Sequence, residues 1–354
     1  MIKGSIKLLS SIFGLTLVFA SAGSTPAQKT PKPAPTPEPA TPVLPGKSFP
    51  KIIPASKVFA RVGPSGINEK SIAVDGRVNV TIPCVTQGDV RINGWERNEV
   101  RVFIKDGSPV SFTVKQKSQK SEKPVWVLLS SFNKEGDMPA VHSDCIWGDE
   151  IQIDAPMGAE IAMKGRETNT VVDSVRKAMV QSAGGDLSFR NVTEGVSAKT
   201  FEGDLFVENS QGPMSLETQS GNIVAFGAAP GDVGDTFRAK TSGGTISLQK
   251  LEYRQTEANS ISGSVLFNGS ILGGGSYTFT TTNGSIRLSV PADTACFVTA
   301  TYGPGGLNSD LPLKASTVDV SPGPVKTIRG TLGTGGDAVV KLTTNSGTIL
   351  LRKQ

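Results

Sequence analysis

The residues best equipped for chemistry in this chain crowd into 142–150, "HSDCIWGDE", which holds its single histidine, His142. Asp144, Asp149 and Glu150 beside Trp147 are the components of a glycoside-cleaving site. There, one carboxyl protonates the leaving oxygen, a second acts as base or nucleophile, and an aromatic ring stacks on the sugar. The plainer account of the same residues is an alternating strand, with Trp147 packed inward and the acids facing water. The three cysteines are Cys84, Cys145 and Cys296. In an oxidising compartment one pair is expected to bridge. Cys84 and Cys145 share the N-terminal segment and form the favoured pair, against a competing account of three buried free thiols. Gly-Asp and Gly-Asn turns resemble those of calcium-binding β-rolls. The Gly-Gly-x-Gly-x-Asp nonapeptide is absent, however, and Thr and Ser replace Asp toward the C-terminus. The sequence contains no Gly-x-Ser-x-Gly elbow, metal-spaced His/Cys cluster or phosphate loop. No catalytic, cofactor-binding or metal-binding residue is assigned, and no cofactor is expected.

The elements that must position these residues are short strands. With 40 Gly and 6% aromatics, the composition suits strands joined by tight turns more than helices. Lys3 and Lys7 precede the apolar run "LLSSIFGLTLVF" (8–19), and Ala20-Ser21-Ala22 ends it, so 1–22 reads as a signal peptide with cleavage near Gly23. An uncleaved anchor is the alternative, although twelve apolar residues are short for a bilayer. The formal charge of +5 becomes +3 without Lys3 and Lys7, too weak to argue for nucleic acid. Residues 23–55 are dense in proline, which blocks helix and sheet ladders, and read as a disordered or extended linker.

The repeat appears when glycines followed by a small polar and then an aliphatic residue are aligned. The series is "GGDLSF" (Gly185), "EGDLFV" (Gly203), "SGNIVAF" (Gly221), "GGTISL" (Gly244), "SGSVLF" (Gly263), "NGSIRL" (Gly284) and "SGTILL" (Gly347). Spacings are 18, 18, 23, 19 and 21 residues, then 63. Alternation after each glycine (Leu187 and Phe189, Ile246 and Leu248) and before it ("VSAKT", "MSLET", "YTFTT") predicts two strands and two turns per coil. Units of that length cannot bury a face alone and must stack. The prediction is an all-β, solenoid-like stack of two-stranded coils of about 18–23 residues over 156–354. Thr and Ser before the glycines are expected to share hydrogen bonds along the ladder. Residues 290–340 read as two strands and a long Pro/Gly loop near 300–330, inserted between the last two coils. The charges of "LLRKQ" read as a guard against strand addition at the end of the stack.

Residues 56–155 alternate with period two but lack regular spacing, which predicts an N-terminal antiparallel β region capping the first coil. Segment 165–180 has helical spacing in part. Because "AMVQS" (178–182) falls in register with "VSAKT", the segment is assigned to the first clear coil.

Three features resemble a family of exported bacterial proteins of unknown function labelled "putative adhesins", with Gly-rich β-strand repeats. They are "VRINGWERNEVRV" (90–102) with its Gly94-Trp95-Glu96, "IQIDAP" (151–156), and the serial "TQSGNI" (218–223) and "TTNSGTI" (343–349). The resemblance covers about 56–354. It implies a β-solenoid-like fold outside the cytoplasm and brings no catalytic residues.

Three functions follow as expectations. The first is a non-catalytic exported envelope or surface module, in periplasm, on the surface or secreted, that binds a protein or polysaccharide through its repeat faces. The second is a carbohydrate-active enzyme using His142, Asp144, Trp147, Asp149 and Glu150. The third is a membrane-proximal signalling or mechanical element.

Overall fold

The computed structural model describes residues 66–117, 123–133, 141–319 and 323–354. The signal-peptide and linker assignments, 1–22 and 23–55, lie outside the described residues. Among the described residues every regular element is a strand. The chain opens with β1 (Ile67–Ala73), β2 (Asn79–Gln87), β3 (Asp89–Trp95), β4 (Glu99–Lys105) and β5 (Val110–Gln116). It continues with β6 (Pro124–Asn133), β7 (Val141–Ser143), β8 (Cys145–Ile146) and β9 (Glu150–Pro156). Strands then come in pairs: β10 (Glu160–Glu167) with β11 (Thr170–Asp173), β12 (Lys177–Gly184) with β13 (Leu187–Arg190), and β14 (Val196–Glu202) with β15 (Leu205–Glu208). The pairs continue as β16 (Met214–Ser220) with β17 (Ile223–Phe226), β18 (Thr236–Gly243) with β19 (Ile246–Gln249), β20 (Gln255–Ser262) with β21 (Val265–Asn268), and β22 (Ser276–Asn283) with β23 (Ile286–Val290). Last come β24 (Cys296–Tyr302), β25 (Leu307–Ser309), β26 (Leu313–Asp319), β27 (Lys326–Leu332), β28 (Val339–Thr344) and β29 (Ile349–Lys353).

The first strand of each pair joins a 16-stranded sheet and the second a 13-stranded sheet. Successive pairs stack parallel and in register: Val196 on Met214, Leu205 on Ile223, Ile246 on Val265. Alternation decides which side chains enter the thin layer between the sheets. Leu205, Val207, Met214, Leu216 and Ile223 are each at most 2% exposed. Ala258 leaves room for aromatic neighbours, and Phe267 packs against Phe279 with ring centroids 5.3 Å apart. The two-stranded coil stack read from the sequence is the architecture observed.

The corner between the two strands of a coil explains the repeat. From Gly203 onward, a Cβ on each repeat glycine would fall on the carbonyl oxygen of the repeat glycine one coil back. The conformation adds to the requirement at Gly203, where φ is +137°. Three residues earlier, buried hydroxyls of Thr218, Thr241, Ser260, Thr281 and Thr344 reach those same carbonyls at 2.7–3.0 Å. The hydroxyl ladder thus bonds to backbone, not side chain to side chain, and satisfies acceptors that the dry corner would otherwise orphan. Just after the glycine, the amide of each coil donates to the Asx side chain below: Asp204 to Asp186 at 2.8 Å, Asn222 to Asp204 at 2.8 Å, Thr245 to Asn222 at 2.9 Å. Gly221→Ala should therefore cost about 3 kcal/mol through overpacking against fixed backbone. At Gly306 an added Cβ meets nothing within 4 Å, and Gly306→Ala should stay within about 0.5 kcal/mol. Urea unfolding of the two variants distinguishes them, and equal costs would mean the ladder is not sterically closed.

Both ends depart from sequence order. The last pair in the chain, β28 and β29, is not the end of the stack. It lies between the β22/β23 coil and the coil formed by β24 and β25. The 290–340 insert is therefore corrected: it supplies one further coil and an antiparallel hairpin, β26 with β27, that covers β24. β29 is paired with β23 along its length and with β25 at 349–351, so "LLRKQ" does not end the stack as its place in the sequence suggested. The N-terminal region mirrors this arrangement. The β2/β3 pair stacks parallel between β10/β11 on one side and β8 and β9 on the other, so part of this region is coil. Antiparallel pairing is confined to β1 with β4, β4 with β9, β5 with β6 and β6 with β7. Antiparallel strands thus finish both ends of the longer sheet, which keeps parallel, in-register edges from templating further addition. Residues 165–180 are strands β10 to β12, as their register with "VSAKT" required.

Candidate functional site

The 142–150 cluster turns out to be a coil corner. His142 lies on β7, with Phe132 as its backbone partner. Asp144 is exposed in the turn between β7 and β8. Trp147 is 51% exposed, which corrects the inward packing expected for it. Its amide is held by the Ser108 hydroxyl at 3.1 Å, and its carbonyl accepts from the Ser108 amide, so the backbone is fixed while the ring points to solvent. Glu150 opens β9 directly opposite Asp89, the corner position that Asp186 and Asp204 occupy in later coils. The Asp149 amide donates to the Lys105 carbonyl, and its own carbonyl accepts from Asp89. Asp144 and Asp149 are both exposed, and Glu150 is half-buried. Among the described residues no group of three or more His, Cys, Asp or Glu is placed to hold a metal ion.

Cys84 and Cys145 form a disulfide between directly paired residues of β2 and β8, with Cα atoms 4.4 Å apart. It ties the short β8 to β2 across the ladder. Cys296 is free and fully buried, and burial pushes its thiol up to about 11, so it behaves as a small core residue. Near Gly94-Trp95-Glu96, one nearly buried carboxylate is paired with an arginine. Asp154, 5% exposed, accepts from Arg101 Nε at 2.9 Å, Asn93 at 3.2 Å and Gln152 at 3.0 Å, and the Arg101 and Arg97 guanidiniums flank the Trp95 ring. At another turn, the hydrogen bond from Arg176 holds the Glu194 carboxyl below its ordinary range, with Arg77 adding to it.

What sequence reasoning missed lies on the outer face of the 16-stranded sheet. In-register pairing aligns Arg238, Glu257, Thr278, Lys341, Thr299 and Arg329 in one row across β18, β20, β22, β28, β24 and β27. A second row runs Lys240, Asn259, Thr280, Thr343, Thr301 and Thr327. Beside the first, Ser276, Val339, Phe297 and Thr331 align on β22, β28, β24 and β27. Phe297 is 51% exposed and Val339 47%. A shallow depression of about 370 Å³ opens at the β18–β22 end, lined by Thr236, Arg238, Gln255, Glu257, Ser276 and Thr278 among others. The signal was present as "YTFTTTN" and "CFVTATY", but the row exists only once β28 is known to lie between β22 and β24.

Residues 70–352 match the sequence model of a family described as Toastrack DUF4097. No curated protein matches the chain. Among solved structures, one described as a "putative cell adhesion protein" from Clostridium sporogenes aligns at 9% identity, covering 81% of this chain and 100% of that one, with a TM-score of 0.22. Another, a "putative adhesin" from Parabacteroides merdae, aligns at 11% identity over 82% of this chain and 98% of that one, with a TM-score of 0.24. At those scores neither carries an argument about this chain.

Proposed function

The chain belongs to the Toastrack DUF4097 family, and on that footing we propose that it is an exported, non-catalytic module of the cell envelope or surface. It binds a protein or polysaccharide there through the outer faces of its coils. One observation carries the reading: residues with reactive side chains at 142–150 serve as a coil corner, whereas the parallel sheets turn straight rows of polar side chains toward solvent. A straight row crossing many strands fits a linear or extended partner better than a small molecule.

The test pairs glycan-array binding with capture from envelope extracts. A specific glycan or a single envelope protein is expected, and failure of both would overturn the reading. The enzymatic alternative has its own measurement. Reducing-sugar release from envelope polysaccharides is expected to stay at the level of a blank. Release that Asp144→Ala with Asp149→Ala abolishes would establish an enzyme at 142–150 instead.

A further inference from the structure

We propose that the outer face of the 16-stranded sheet, from β18 to β27, binds a linear acidic polysaccharide. The inference rests on the surface-module reading and names the ligand class and the strands that take it.

Charge comes first. Arg238 is paired with Glu257 at 3.8 Å, with both side chains more than half exposed. Lys341 and Arg329 are exposed and lie within salt-bridge distance of no acid among the described residues, and the same holds for Lys240 one row over. Thr299 separates Lys341 from Arg329 in register, so the two cations stand two strand spacings apart, roughly 9–10 Å. Hydroxyls fill the positions between and beside them: Thr278 and Thr299 in the same row, Thr280, Thr343 and Thr301 in the next.

That spacing selects among polyanions. Duplex DNA presents a negative charge about every 1.7 Å of axis, far denser than two cations in 9–10 Å would neutralise. A linear polysaccharide with at most one carboxylate per sugar spaces its charges more widely and matches a sparse row of cations separated by hydroxyl donors. Apolar platforms point the same way. Val339 and Phe297 stand side by side at the edge of the cation row, where the apolar face of a sugar ring could lie while its carboxylate meets Lys341 or Arg329. The depression lined by Arg238, Gln255, Glu257, Ser276 and Thr278 continues the same line, since Thr278 is the register neighbour of Lys341. A polymer laid across the strands would therefore meet a concavity over β18–β22, then Lys341 beside Val339 on β28, Phe297 on β24 and Arg329 on β27.

The experiment uses the full chain and polygalacturonate, with dextran as the neutral polymer, duplex DNA as the dense polyanion and phosphatidylglycerol vesicles as the anionic surface. Affinity is measured at about 50 and 200 mM salt. Polygalacturonate is expected to bind best and to weaken with salt. Lys341→Thr with Arg329→Thr should lower its affinity about tenfold or more and flatten the salt dependence by about one to two charges. Phe297→Ser alone should lower it about fivefold without changing the salt dependence. Lys105→Thr with Lys353→Thr, the same charge change on exposed residues of β4 and β29 in the 13-stranded sheet, should leave affinity within about twofold. Lys341→Gln with Arg329→Gln repeats the test should the threonine pair melt early.

Equal losses from both charge pairs would reduce the effect to net charge and overturn the inference. Tighter binding to DNA or to vesicles would overturn it as well. Dextran binding indifferent to both pairs, or capture of an envelope protein with no polysaccharide bound, would end the acidic-ligand inference and leave the surface-module reading standing.

Discussion

Deleting Gly203–Ser220 should leave a protein that is β-rich by circular dichroism and cooperative on melting. The deletion removes one period. Glu202 then meets Gly221 as it met Gly203, Ile223 takes the place of Leu205 on β13, and Phe237 takes the place of Met214 on β14. The buried hydroxyl of Thr200 again lies three residues before a ladder glycine. Specific contacts go with the coil: Arg190 loses Glu208, Lys199 loses Glu217 and meets Lys240 in register, and the Tyr253 hydroxyl, which reaches the carbonyls of Gly212 and Ala229 at 2.6 and 2.7 Å, keeps only Ala229. Stability in a stack is close to a sum of coil and interface terms, so the cost should be on the order of 3 kcal/mol. Deleting Gly203–Gln211 instead removes β15 alone and splices Glu202 to Gly212. The 13-stranded sheet is then broken between β13 and β17, while β14 and β16 remain. No register restores it, and the product should aggregate or be degraded. Equal damage from the two deletions would contradict the stacked-coil account.

Removing the disulfide is the second large effect. Cys84 and Cys145 are 61 residues apart in sequence, and closing a loop of that length restricts the unfolded chain by about 4 kcal/mol on the chain-entropy argument. Cys84→Ala with Cys145→Ala should lower stability in urea by about that amount. The loss should show locally too. β8 is two residues long and has β2 as its ladder partner, so amides of 141–156 should exchange faster than those of β14 to β22. A cost below about 1 kcal/mol, with no change at 141–156, would mean that packing alone holds this rung.

The middle of the fold was legible because its requirements are local. A corner whose glycine Cβ would strike backbone, with a hydroxyl needed three residues earlier, writes Thr-x-x-Gly or Ser-x-x-Gly at a fixed phase, and the six corners from Gly203 to Gly347 obey it. The ends were not legible because order in space is not local. The β24/β25 coil carries the same corner as Tyr302-Gly-Pro-Gly305, with Tyr where Thr or Ser stands elsewhere. Gly305 indeed packs over the Gly347 carbonyl, but spacing alone cannot say that a later coil slips in between. The N-terminal corners hide in the same way: "QGDVRI" at Gly88 and "WGDEIQI" at Gly148 are repeat corners, yet the strands between them interrupt the period. That interruption made 142–150 look like a cluster of reactive groups. Trp147 was placed inward by alternation along a strand, but β8 ends at Ile146 and the ring follows the turn out to solvent.

Hydroxyl-radical footprinting of the full chain on washed cell envelopes of the producing strain tests the central claim most directly, because both rival surfaces carry an exposed reporter. Phe297 and Val339 report on the long-sheet face, and Trp147 reports on the 142–150 corner. The account predicts that envelopes protect Phe297 and Val339 severalfold while Trp147 is oxidised as in the free protein. Protection of Trp147 with Phe297 and Val339 unchanged would contradict it and return the function to the 142–150 cluster.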